Sequence, residues 1–308
     1  MNPENLLQHP LPTPKCTTGC PLIDRFLSGG VPTNSITELV SESGCGKTQL
    51  CLQLLLAAQL PTTLGGLASS SLYLHSEFPF PFRRLHQLSL SFRSSHPSLF
   101  ASSDPLDRIF VHPLHSAEHL LDVLRRIDRF LEHPPTLFPL KLIIIDSIAA
   151  LFRSEFENKP SDLKRRSVLF FKISSKLKLQ AKTFGLAVVV TNQVVDFVGS
   201  SDGMNGLRVG NLGSLYSSGR RVCPALGISW ANCVNSRLFL SRNEEVLGDE
   251  SGLVETGSGD FVAVQTKRHI HVLFAPHLPN SSCEYIIVRE GVFGVERTAT
   301  DLQKRAIK

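Results

Sequence analysis

The chain has 308 residues, 42% apolar and 19% charged, which is enough apolar material for a packed core and argues against a disordered chain. Lysine and arginine number 32 against 27 aspartates and glutamates, a net charge of +5 that permits contact with nucleic acid without demanding it. No apolar run approaches the roughly 20 residues of a membrane-spanning helix. The first fifteen residues hold four prolines and lack the basic and apolar regions of a secretory signal. The cysteines (Cys16, Cys20, Cys45, Cys51, Cys223, Cys233 and Cys283) are odd in number and scattered. They read as reduced intracellular thiols rather than a disulfide framework.

Residues 1–15 form an N-terminal arm without periodicity, 16–298 a single core, and 299–308 a tail. Within the core, strand and helix patterns alternate. Ser35 to Val40 reads as a strand, Thr48 to Leu60 as a helix with an almost continuous apolar surface, and Ser71 to His75 as a second strand. Seven of the fifteen residues from Ser89 to Ser103 are serine, which predicts an exposed loop or frayed helix. Arg108 to His112 is a short strand, and Leu120, Leu124, Ile127 and Leu131 then lie on one helical stripe. Leu142 to Ile145 is a continuous apolar run ending at Asp146. The next helix carries Leu163, Phe170, Ile173, Leu177, Ala181 and Phe184 on one face, and Gly185 to Val190 is again continuous.

Unbroken apolar strands between amphipathic helices imply a parallel sheet covered on both faces. Beyond residue 230, Arg237 to Ser241, Asp260 to Gln265, His269 to Phe274 and Glu284 to Val288 are strand-like with no helix pattern between them. They are expected to extend the sheet as antiparallel hairpins.

The segment Ser41-Glu42-Ser43-Gly44-Cys45-Gly46-Lys47-Thr48 lies between a predicted strand and a predicted helix, the context a phosphate-binding loop requires. Backbone N–H groups at a helix N-terminus would cradle a triphosphate. Lys47 would reach the β- and γ-phosphates, and the Thr48 hydroxyl would ligate Mg²⁺. Ser41 stands where the first glycine of the pattern is expected; if that position needs a positive φ, serine costs about 1 kcal/mol. Cys45 sits at a helix terminus that could acidify a thiol, yet reads as a small residue packed near phosphate. Asp146 ends a hydrophobic strand 99 residues after Lys47, where a carboxylate can hold the magnesium hydration shell. Glu77 lies two residues past a strand end; it is either a carboxylate that orients an attacking water or a surface residue in a proline-rich turn.

These residues together resemble the RecA-type recombinase core, and within it the eukaryotic recombinase paralogues. The likeness rests also on Thr17-Thr18-Gly19-Cys20 with Asp24 and Gly29-Gly30, on Ser35-Ile36-Thr37-Glu38-Leu39, and on Tyr73-Leu74-His75-Ser76-Glu77 with Arg83-Arg84-Leu85. Thr191-Asn192-Gln193-Val194 and Leu226-Gly227-Ile228-Ser229-Trp230-Ala231-Asn232 with Arg237-Leu238 complete it. The resemblance implies a RecA-like P-loop ATPase core: a mostly parallel sheet flanked by helices, with antiparallel strands at its C-terminal end. It implies ATP and Mg²⁺ as cofactors, Glu77 as the water-orienting carboxylate, Gln193 as the γ-phosphate sensor and Arg84 as a residue beside the base. It further implies a nuclear protein acting in homologous-recombination repair of double-strand breaks and in meiotic recombination. Its partners would be single-stranded or branched DNA, another paralogue (the C-type by resemblance) and the strand-exchange recombinase.

The family places a DNA-approaching loop after the sensing glutamine. Here Asp196 to Ala225 contains six glycines and five serines with Arg208, Arg220 and Arg221, the candidate DNA contacts; a solvated flexible loop is the alternative. Two functions stay open: a DNA-dependent ATPase working in a hetero-oligomer, and a scaffold that keeps nucleotide as structural glue. A small-molecule kinase is a remoter third, with no basic lid segment in its favour.

Overall fold

Strands covered on both faces dispense with the polar alternation of a half-exposed sheet, and the middle of this chain is built from such strands. The computed structural model describes residues 13–77, 79–134, 137–153, 156, 159–197, 215–246 and 264–296. A short antiparallel pair, β1 (Lys15–Cys16) and β2 (Val31–Pro32), brackets helix α1 (Pro21–Phe26). The central sheet follows with β3 (Ser35–Val40), β4 (Ser70–His75), β5 (Ile109–Pro113), β6 (Leu140–Asp146) and β7 (Ala187–Asn192). A separate sheet holds β8 (Val194–Asp196), β9 (Leu215–Ser217) and β10 (Arg220–Pro224). Then β11 (Ser236–Val246), β12 (Val264–Phe274), β13 (Ser282–Ile287) and β14 (Val292–Gly294) complete a nine-stranded sheet in the order β14-β13-β12-β11-β3-β7-β6-β4-β5.

Six of these strands, β11, β3, β7, β6, β4 and β5, run parallel. Successive residues of β6 alternate between two cores. Ile143 and Ile145 face α4 (Ala117–Glu132), the short α5 (Ala150–Arg153) and α6 (Pro160–Phe184), whereas Leu142 and Ile144 face α2 (Lys47–Ala57) and α3 (Phe82–Ser95). The predicted stripe Leu120, Leu124, Ile127 and Leu131 is buried in the first core. Helix α2 shows no narrow stripe because Leu50 through Ala58, Gln53 excepted, is buried.

The structure corrects several expectations. The strand β11 is not antiparallel: it pairs parallel with β3, Ser236 opposite Thr37 through Phe239 opposite Val40, and antiparallel pairing begins only at β12. The chain between β7 and β11, with helix α7 (Gly227–Ala231), acts as a crossover long enough for a parallel return. The two strands expected over Asp260–Gln265 and His269–Phe274 are one from Val264, with 260–263 outside the described residues. Of the serine-rich stretch, 96–103 forms the expected turns and bends, but Ser89 to Ser95 lies in helix α3, where Ser94 and Ser95 donate to the carbonyls of Leu90 and Ser91, 3.0 Å each. That local bonding accommodates serine in a helix. Leu163 is exposed, so the buried stripe of α6 starts at Leu169. The segment read as a loop from Asp196 forms β8, β9 and β10 at its two ends, with 198–214 outside the described residues.

One polar node locks the sheet centre. Glu38 on β3 is fully buried and accepts from Asn192 Nδ2 (2.7 Å) on β7, Trp230 Nε1 (2.9 Å) on α7 and Arg237 Nε on β11. A charge so deep is tolerable only when paired and hydrogen-bonded.

Candidate nucleotide site

The parallel strands end at one edge, and the loops leaving β3, β4, β6 and β7 converge there. In open α/β sheets this carboxyl edge is where ligands bind. Ser41 to Gly46 leaves β3 and enters α2, whose first residue is Lys47. Gly44 and Gly46 adopt φ of 81° and 101°, a left-handed backbone that glycine takes without cost. Ser41 is not among the positive-φ residues, so the strain expected from its missing glycine does not arise.

The loop holds Lys47 on itself. The ammonium donates to the Ser41 carbonyl (2.8 Å), the Ser41 hydroxyl (2.8 Å) and the Glu42 carbonyl (3.1 Å). Burial pulls its pKa below the usual lysine value, against the opposing charge of Asp146. The Cys45 thiol is pushed up by burial, so it is not acidified by the helix terminus, and Tyr285 of β13 donates its hydroxyl to the Cys45 carbonyl.

Asp146 terminates β6 and gathers three hydroxyls: Thr48 (2.7 Å) from α2, Thr191 (2.6 Å) from β7 and Tyr73 from β4. The Thr48–Asp146 contact brings together the two residues whose oxygens suit a hard divalent cation. Burial and the Asp146 charge push the Tyr73 hydroxyl up, so it stays protonated and donates. Glu77 and Gln193 meet across the mouth, Gln193 Nε2 donating to Glu77 Oε1; this settles where the glutamate points, although the next residue, Phe78, lies outside the described residues.

Lys47, Thr48, Glu77, Asp146 and Gln193 line one cavity of about 1300 Å³ with Ser43, Gly44, Arg84 and Arg153. Arg84 is anchored beside it by Gln49 Oε1 (2.7 Å), by Gln87, and by the carbonyls of Val288 and Arg289 (2.7 Å each). Glu42, read from sequence as part of the phosphate cradle, lines the cavity and commits its buried carboxylate to Ser217, Ser218, Arg220 and Arg242. Burial disfavours its ionisation, but these hydrogen bonds and the Arg242 charge outweigh that and hold its pKa below the usual carboxylate range.

The candidate DNA arginines are placed unequally. Arg220 is exposed but bound to Glu42 (3.0 Å) and Asp196 (3.0 Å). Arg221 sits over the Phe197 ring, 4.4 Å from its centroid, and Arg208 lies outside the described residues. Sequence reasoning missed Thr191, Tyr73, Ser217, Ser218, Arg242 and Arg268, the last also lining the cavity. Thr191 had a signal, being one residue upstream of the strand end that carries Gln193; the others depend on distant strands meeting.

The sequence model of the Rad51 family matches residues 13–209, the span that carries β1 through β7 and every loop at the cavity's strand ends. The chain belongs to the Rad51 family. Among Rad51-family relatives, it is 56% identical over 298 residues to a protein of Arabidopsis thaliana named DNA repair protein XRCC3 homolog, covering 96% of this chain and 98% of that one. It is 36% identical to mouse DNA repair protein XRCC3, over 92% of this chain and 76% of that protein. It is 35% identical to mouse DNA repair protein RAD51 homolog 2, over 73% and 65%. The Rad51-family fold accounts for the mostly parallel sheet and the antiparallel strands at its C-terminal end.

Proposed function

We propose that the protein is an ATP-binding recombinase paralogue that acts in the repair of DNA double-strand breaks by homologous recombination, and in meiotic recombination. It works in the nucleus as part of a hetero-oligomer with another paralogue. The observation that carries the reading is the Lys47, Thr48 and Asp146 constellation at the strand ends, with Glu77 and Gln193 hydrogen-bonded beside it. The similarity to proteins named for DNA repair over nearly the whole chain supports the cellular role.

The donor set fits Mg·ATP. Left-handed glycines leave backbone positions 44 and 46 without side chains, Thr48 and Asp146 offer hard oxygen ligands, and Lys47 offers a charge that can transfer from carbonyls to an anion. Bound magnesium would neutralise charge developing on the phosphates. Glu77 would orient a water, and Gln193, already bonded to it, would report an anion by shifting that bond. Turnover by the isolated chain is expected to be slow, because a missing charge-stabilising group at a subunit boundary costs orders of magnitude. Arg208, Arg220 and Arg221 would contact single-stranded or branched DNA. A scaffold that holds nucleotide without hydrolysing it is the second reading, favoured by the complete engagement of Lys47 with its own loop.

Steady-state ATP turnover with and without single-stranded DNA tests the proposal. DNA-stimulated turnover that disappears in Glu77→Gln supports a carboxylate acting within this chain. Tight nucleotide binding with no turnover, alone or with the partner paralogue, supports the scaffold.

A further inference from the structure

The strand β14 is one edge of the nine-stranded sheet and pairs with β13 through three residues only: Gly294 with Tyr285, Phe293 with Ile286 and Val292 with Ile287. A hairpin that short is marginal on its own. Gln53 of α2 supplies what a further strand would. Its amide oxygen accepts from the Val292 N–H (2.6 Å), and its amide nitrogen donates to the Val292 carbonyl (3.1 Å) and to the Thr18 carbonyl (2.7 Å). Both protons of the amide are thereby spent. On α2 this glutamine is the single break in the buried run over 50–58. A Cβ on Gly291 would collide with Gln53 Oε1, so the amide reaches the strand only because that position is glycine.

The turn joining β13 to β14 is closed by the Val288 N–H donating to the Gly291 carbonyl (2.8 Å). The same turn carries the Val288 and Arg289 carbonyls that hold Arg84. Together with Gln49 and Gln87, they take four of the five N–H groups of the guanidinium. An arginine held by its edge has its flat face left to offer, and that face stacks on rings.

With phosphates at the Lys47 loop, the remainder of a nucleotide needs a flat or apolar surface. Arg84, Ile287 and Val288 line the nucleotide cavity with one. Where that surface stands depends on the turn, and where the turn stands depends on Gln53. Gln53 itself does not line the nucleotide cavity. It lines a second cavity of about 800 Å³ with Thr17, Leu88 and Phe293, and Arg289 of the turn borders both.

We propose that Gln53 is a positioning residue that fixes the 288–291 turn and, through it, the Arg84 face that holds the nucleobase. This rests on the nucleotide-binding reading above. The test compares, by calorimetry on the full chain, the Mg²⁺ complex of a non-hydrolysable ATP analogue with that of inorganic tripolyphosphate, which has the phosphates and no base. The ratio of the two dissociation constants measures the hold on the nucleoside. Gln53→Met keeps the side-chain length and removes the hydrogen bonds. It should shrink that ratio by about threefold or more, the scale of one cation–aromatic stack, with tripolyphosphate binding unchanged. Gly291→Ala, which displaces the amide and keeps Gln53, should do the same, and it decides the question if Gln53→Met does not fold. In an Arg84→Ala background, Gln53→Met should shrink the ratio no further. An unchanged ratio in the folded variants, an equal loss for both ligands, or an additive loss with Arg84→Ala overturns the positioning role. A wild type that binds tripolyphosphate as tightly as the analogue overturns it too, while leaving the phosphate site standing. A wild type that binds neither overturns the nucleotide reading and this inference together.

Discussion

Two glutamates four residues apart, Glu38 and Glu42, each gather several donors from distant segments, but they sit in different mechanical settings. Glu38 lies mid-strand, and its partners Asn192, Trp230 and Arg237 stand on a neighbouring strand, a short helix and another neighbouring strand, all buried. Glu42 lies past the strand end in a loop, and its partners include a hairpin turn and Arg220, whose side chain is 55% exposed. The same chemistry locks the sheet centre in one case and ties a loop to a hairpin turn and a strand in the other. What decides is whether the partners are themselves held by the core.

The comparison breaks most visibly at Glu38. Removing one member of a buried ion pair strands the other, so Glu38→Ala should lower unfolding free energy by about 3–5 kcal/mol, read from urea denaturation. A loss below about 1 kcal/mol would show that Arg237 finds another partner. Trp230→Phe keeps the ring packing against Phe170 and removes only the indole N–H, so roughly 1–2 kcal/mol is expected in the same assay.

Beside the loop, Lys47→Ala should raise the dissociation constant for Mg·ATP by at least about tenfold while leaving the denaturation midpoint close to wild type, since the lysine opens α2 and belongs to neither core. An unchanged affinity would remove Lys47 from the site.

The smallest effect carries a pH signature. The folded-state pKa of Glu42 is depressed, so its stabilising contribution is complete above the ordinary value of 4.5 and lost as pH falls through the lower folded value. The midpoint difference between wild type and Glu42→Gln should therefore be constant near neutrality and shrink as pH falls below about 4.5. A difference that does not decline at all as pH falls below about 4.5 would mean the charge is not what holds the hairpin.

Much of the site was legible because its residues lie at the ends of strands the pattern makes plain. Asp146 follows Ile143-Ile144-Ile145 and Lys47 follows a glycine-spaced turn, so both are placed by counting along the chain, whereas Gln193 is a candidate only through the family resemblance. Glu77 was legible as a candidate but not in its direction, because a turn through two prolines has no periodicity to aim a side chain. The hairpin at Ser218 was read as loop because serine and glycine are common in both, and only the pairing of β9 with β10 distinguishes them.

Local pattern and loop chemistry specified the parallel core, the position of the glycine-spaced loop before Lys47 and the acidic strand end, because each depends on residues near one another in sequence and on a single repeating geometry. Folding in three dimensions decided the parallel entry of β11, the bonding of Glu42 to Arg220 and Arg242, and the gathering of Tyr73, Thr48 and Thr191 on Asp146. Those are contacts between segments up to 200 residues apart, and their partners are chosen by strand order and packing, which no local window contains.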